Sequence, residues 1–131
     1  MGVLLDLLAK KKILVSDGAW GTMLQAKGMT SQDCPEEWNV SHAAEVQSVA
    51  RAYAEAGSDL ILTDTFGGSV LKLKKMGYGD RVEEFNAAGA RNSLVAKGVI
   101  VAGSVGPTGE FVEPLGEISA EEMEAVFSQQ I

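Results

Sequence analysis

Short apolar runs alternate with longer segments of helical period along the chain. Leu4, Leu7 and Leu8 recur at helical spacing and predict a short leading helix over 3–11. Ile13-Leu14-Val15 predicts a strand that ends at Ser16-Asp17-Gly18. The polar stretch from Gly28 to Val40 reads as a loop. Ser41 is placed to cap a helix over about 42–56, with Val46, Val49, Ala50 and Tyr53 inward and Gly57 as its left-handed closing residue.

The second strand is Leu60-Ile61-Leu62, with Thr63-Asp64-Thr65 at its C-terminal end. Asp80 and Glu83 have capping-box spacing for a helix running to about Lys97, closed by Gly98. Val99-Ile100-Val101-Ala102 predicts a third strand. Ser119 and Glu122 repeat the capping box, and Met123, Val126, Phe127, Gln130 and Ile131 then share one helical face. No Gly, Asn or Pro closes that last helix, so these residues are expected to be the front part of a longer protein.

Strand and helix alternate in order, which predicts an α/β fold of parallel strands with right-handed helical crossovers. Two architectures fit: a doubly wound sheet, or the first three βα units of an eight-fold TIM-type barrel. Residues 1–131 read as part of one domain, with no second domain within them.

Composition removes several function classes. The net charge is −7, and the only dense basic runs, Lys10–Lys12 and Lys72/Lys74/Lys75, read as solvated helix flanks, so no nucleic-acid partner is expected. A single cysteine, Cys34, excludes an internal disulfide, and with the single histidine, His42, it cannot make a zinc site. The run Val3-Leu4-Leu5 is interrupted by Asp6, unlike a signal peptide, and no stretch approaches the ~18 apolar residues of a membrane span. A cytoplasmic protein without a membrane partner is the expectation.

The three strand ends carry the chemistry. They read Asp17-Gly18-Ala19-Trp20-Gly21-Thr22, Thr63-Asp64-Thr65-Phe66-Gly67-Gly68 and Gly103-Ser104-Val105-Gly106-Pro107-Thr108-Gly109. In parallel α/β folds such loops gather at one mouth, where glycines let a ligand approach the backbone. Asp17 and Asp64 set two carboxylates there, suited to hold an ammonium group. The plain alternative is that these residues only cap helices and make turns. Neither phosphate-cradling glycine pattern occurs, so a dinucleotide site is not expected.

Taken in order, these strand ends and Pro35-Glu36-Glu37-Trp38-Asn39 resemble the homocysteine S-methyltransferase family over about residues 13–131. That family includes the homocysteine-binding barrel module of cobalamin-dependent methionine synthase and betaine–homocysteine methyltransferase. The resemblance implies a (β/α)8 barrel that transfers a methyl group to the thiol of homocysteine, with zinc holding that thiol as thiolate. It implies that Asp17 binds the amino group of homocysteine. Gly18, through its backbone, and Thr63 help seat the carboxylate, and Asn39 and Asp64 line the pocket. The family's zinc cysteines have no match here, so no catalytic or metal-binding residue is expected within these residues, and alone they are expected to be inactive. The methyl donor is left open among methyltetrahydrofolate through a cobalamin (corrinoid) protein or domain, S-methylmethionine and a betaine. Asp64 stands where relatives often carry Asn, and Trp20 where many carry a smaller side chain. Both leave room for a corrinoid-dependent methyltransferase with a different acceptor. A non-enzymatic half-barrel that oligomerises is the third reading.

Overall fold

In the computed structural model, which describes residues 2–131, the sheet is built from the most continuous apolar runs. Strand β1 (Leu60–Leu62) pairs in parallel with β2 (Ile100–Ala102), in the register Leu60 to Ile100, Ile61 to Val101 and Leu62 to Ala102. The connection between them is helical, as a parallel pair requires.

Ile13–Val15 does not form the strand expected of it. The segment joins β1 through a single parallel bridge at Ser16, where the Asp17 amide donates to the Leu60 carbonyl at 3.0 Å. The Val15 amide is diverted to the Asp59 carboxylate at 3.1 Å, and Ile13 and Val15 are exposed. Apolar residues without cover and an amide taken by a side chain do not extend a ladder.

Seven helices surround this sheet among the described residues. Helix α1 (Val3–Lys11) forms as expected; its Lys11 pairs with Asp59. Helix α2 (Trp20–Gln25) follows the first glycine loop. The stretch expected as a loop to Val40 contains α3 (Pro35–Ser41), started by Pro35 with Glu36 and Glu37 in its first turn. Ser41 therefore ends α3 rather than capping α4 (Ala43–Glu55): its hydroxyl donates to Glu37 Oε2 at 2.8 Å, and His42 forms the break between the helices. Gly57 has the expected positive φ, 103°.

Helix α5 (Val70–Lys75) is capped by Ser69, whose hydroxyl accepts from the Lys72 amide at 3.4 Å, and carries its three lysines in the last turn. The Asp80–Glu83 capping box does not form. Helix α6 (Val82–Ser93) starts after Arg81, which pairs with Glu84 instead. Ser93 ends it short of Lys97 and donates its hydroxyl to the Leu62 carbonyl at 3.2 Å. Helix α7 (Ala120–Gln130) has both halves of the Ser119–Glu122 box, at 3.2 and 2.9 Å. No helix among the described residues is long and apolar enough to cross a membrane.

Three apolar clusters fix these elements. Leu24, Met29, Trp38, Val46 and Val49 join α2, α3 and α4. Cys34, Leu73, Val82 and Phe85 join α5 and α6, and Ala50, Ile61 and Ala96 seat β1. Between the first two clusters α6 passes very close to the end of β1. A Cβ on Gly89 would lie 2.5 Å from Thr65 Cγ2 and 3.1 Å from Asn39 Nδ2. Thr65 cannot swing aside, because its hydroxyl donates to the Ser104 carbonyl at 2.8 Å. Gly89→Ala should therefore cost about 1–3 kcal/mol in a urea titration, the usual penalty of overpacking. An unchanged midpoint would show that the helix can back away from the strand end.

Candidate functional site

At the end of the first segment, Asp17 is held by three donors. Trp20 Nε1 and the Leu62 backbone amide both donate to Oδ2 at 2.8 Å, and the Ser16 hydroxyl donates to Oδ1 at 3.0 Å. The carboxylate is half-buried, at the C-terminal end of β1. Beside it, the Tyr53 hydroxyl donates to the Ala19 carbonyl at 2.7 Å. Burial, and then the charge of Asp17, pushes the Tyr53 phenol above its ordinary range, so it stays a donor. Gly18 passes under the same phenol: a Cβ there would lie 3.1 Å from its oxygen.

Thr63 continues the site along β1. Its hydroxyl accepts from the Ser104 amide at 2.9 Å and meets the Thr65 hydroxyl at 2.6 Å, while Thr65 donates to the Ser104 carbonyl. The three donors are used in sequence, so Thr63 donates to Thr65. This relay ties the end of β1 to the loop after β2. The loop after β1 is tied again where the Gly106 amide donates to the Phe66 carbonyl at 3.0 Å.

Asn39 and Asp64 form a layer behind these groups. Asn39 is 2% exposed, and its amide donates to the Asp64 backbone carbonyl at 2.7 Å. Asn92 supports it, donating to the Asn39 carbonyl at 2.8 Å. The Asp64 side chain is buried, and its Oδ2 has no hydrogen-bond partner. Burial, and then the neighbouring Glu36 carboxylate, pushes the Asp64 carboxyl up to about 8. Its charge neighbour is thus Glu36 on α3, a residue that the sequence reading passes over. Glu36 is buried and accepts from the Gly67 amide at 2.6 Å and from the Cys34 thiol at 3.4 Å. Its signal in the sequence is the acidic residue after Pro35, which also begins α3.

Cys34 and His42 have local roles. His42 stacks on Trp38, with ring centroids 4.0 Å apart, and its Nδ1 lies 2.6 Å from the Ser41 hydroxyl. Burial pushes the Cys34 thiol up to about 11, with the Glu36 charge adding to the shift. Only the thiolate is a nucleophile or metal ligand. Cys34 should therefore react with iodoacetamide at pH 7.5 at least tenfold more slowly in the folded protein than in urea; equal rates would mean that the thiol is accessible. No three His, Cys, Asp or Glu side chains converge as a metal site among the described residues.

A cleft of about 720 Å³ opens beside the free edge of β2, between α6 and the end of α7. Its polar lining includes Thr63, Glu83, Asn86, Ser104 and Gln130. Of the residues expected to bind a ligand, Thr63 alone lines it. Asp17 and Gly18 lie across β1 from it, while Asn39 and Asp64 are held beneath the strand end.

Residues 14–131 match the family model described as homocysteine S-methyltransferase. Among known proteins, the chain is 35% identical over 92 residues to the methionine synthase of Mycobacterium tuberculosis, covering 66% of this chain and 8% of that protein. With the methionine synthase of Mycobacterium leprae it shares 31% identity over 121 residues, covering 79% of this chain and 10% of the relative. The chain thus spans about a tenth of the length of these relatives. Among solved structures it is similar to the homocysteine methyltransferase MmuM from Escherichia coli. The oxidized form aligns with a TM-score of 0.70 and 25% identity, covering 83% of this chain and 42% of that one. The metallated form aligns with a TM-score of 0.78 and 23% identity, covering 97% and 51%.

Proposed function

This chain belongs to the homocysteine S-methyltransferase family, and we propose that it forms the first three βα units of a barrel that methylates the thiol of homocysteine, with these residues recognising the amino-acid end of the substrate. The observation that carries the reading is the Asp17 carboxylate, fixed at the C-terminal end of β1 by the Leu62 amide. A carboxylate so held is a ready acceptor for an ammonium group, and charge-assisted hydrogen bonds of this kind are among the strongest available to a binding site. In this proposal the Gly18 backbone meets the substrate carboxylate, and Thr63, whose hydroxyl proton goes to Thr65 and whose amide goes to the Ala102 carbonyl, holds the strand end against which it sits. Asn39 and Asp64 form the pocket wall, with Asn39 holding the strand end and Asp64 largely neutral near pH 7.

Activation of the sulfur lies outside this set. Zinc would supply it in the family by holding the thiol as thiolate, but the residues here do not fit that metal. Cys34 is kept as a thiol against Glu36, and no third His, Cys, Asp or Glu joins the pair among the described residues. The described residues therefore orient the amino acid and do not activate its thiol, and alone they are expected not to transfer a methyl group. The methyl source stays open among methyltetrahydrofolate through a corrinoid protein or domain, S-methylmethionine and a betaine.

The test is methionine formation by the full-length protein. Homocysteine is supplied with isotopically labelled S-methylmethionine, a labelled betaine, or labelled methyltetrahydrofolate plus a corrinoid protein. Labelled methionine from one donor is the expected result. Methylation of a different thiol, with homocysteine untouched, would favour the altered acceptor that Trp20 and Asp64 leave room for.

A further inference from the structure

The three donors on Asp17 are not shared evenly between its oxygens. Oδ2 receives both the Trp20 indole and the Leu62 amide at 2.8 Å, whereas Oδ1 receives only the Ser16 hydroxyl at 3.0 Å. Each carboxylate oxygen offers two acceptor sites, so Oδ2 is filled and Oδ1 keeps one free. The Leu62 amide is fixed by the strand. The indole is fixed by packing: Trp20 opens α2, lies against the clusters formed by α2, α4 and β1, and sits 6.5 Å from the Tyr53 ring. The Tyr53 hydroxyl holds the Ala19 carbonyl, so the backbone between Asp17 and Trp20 is pinned as well.

We propose that Trp20 is a positioning residue for Asp17, its indole N–H closing Oδ2 so that a ligand's ammonium group is received by Oδ1 alone. The inference rests on the reading of Asp17 as the amino-group acceptor and deepens it. Without the indole N–H, the carboxylate has two open acceptor sites on different oxygens, and its terminal torsion is free to settle between them. The ammonium group then meets an acceptor that is no longer oriented in advance, and orienting it lowers affinity.

Two ligands separate this role from simple packing: homocysteine, and 4-mercaptobutanoate, which has the same carboxylate and thiol without the amino group. Calorimetric titrations of the full-length protein compare wild type, Trp20→Phe and Asp17→Ala. Trp20→Phe keeps an aromatic ring and loses the donor. It should raise the Kd for homocysteine roughly tenfold, the size of one hydrogen bond to a charged group, and leave that for 4-mercaptobutanoate within about twofold. Equal weakening of both ligands, or of neither, overturns the proposal. If Asp17→Ala weakens homocysteine but Trp20→Phe does not, only the role of Trp20 is lost. If Asp17→Ala fails to distinguish the two ligands, the amino-group reading falls first. Should Trp20→Phe fold poorly, benzothienylalanine at position 20 keeps the indole shape without the N–H, and the same two outcomes decide.

Discussion

Replacing Asp17 by alanine should raise the Kd of the full-length protein for homocysteine by about 10²-fold or more. The variant removes the acceptor and leaves the ligand's ammonium group facing the Leu62 amide and the Trp20 indole, two donors that repel it. The loss is therefore larger than that of a neutral hydrogen bond, since truncating one partner of a charged pair leaves the other unmatched. Folding should survive, because Asp17 is half-buried in an irregular segment and belongs to none of the three apolar clusters. Circular dichroism checks the fold and calorimetry the affinity. A native spectrum with an unchanged Kd would remove Asp17 from the site.

Asp64→Asn should make the protein more stable at pH 8 and nearly indifferent at pH 4. The folded carboxyl lies at about 8, against an ordinary value of 3.8, so the folded state keeps a proton that the unfolded chain releases. The sign follows from linkage: the contribution of Asp64 to stability is fully present below about pH 4 and is lost progressively as pH rises towards 8. Asparagine has nearly the same shape and carries no charge, so it removes the repulsion from the Glu36 carboxylate. The gain at pH 8 should be on the order of a few kcal/mol, or several degrees in Tm. Urea titrations of both proteins at pH 4 and pH 8 make the comparison. Parallel stabilities at the two pH values would mean that water or a cation reaches the Asp64 carboxyl.

The elements that could be read from the sequence are those in which no competitor displaced the local signal. β1 and β2 are short apolar runs that keep their ladder even though the Leu62 amide goes to Asp17, and α7 has a capping box whose two partners are free to find each other. Elsewhere a legible signal lost to a tertiary contact. Val15 has the residue type of a strand, but its amide goes to Asp59, 44 positions away. Arg81 is drawn to Glu84, so the Asp80 box never closes, and Ser41 spends its hydroxyl on Glu37. Pro35 with two following glutamates is a helix start that the polarity of the surrounding stretch conceals.

The candidate site divides in the same way. Asp17, Gly18 and Thr63 stand in strand-end motifs, and their place at the ends of neighbouring segments follows from the chain itself. That Asp64 is buried against Glu36 depends on how α3 packs under the strand end, and no spacing in the sequence encodes it. The same holds for the indole of Trp20 reaching Asp17, although the two lie within one turn of chain. Side-chain direction, more than position, was the missing information.

The most direct measurement is a crystal structure of the full-length protein with homocysteine bound. The account predicts the substrate's amino nitrogen within ~3 Å of Asp17 Oδ1, with its carboxylate over Gly18 and Thr63. Homocysteine bound with its amino nitrogen out of reach of Asp17, and with no contact to either Asp17 oxygen, would contradict it.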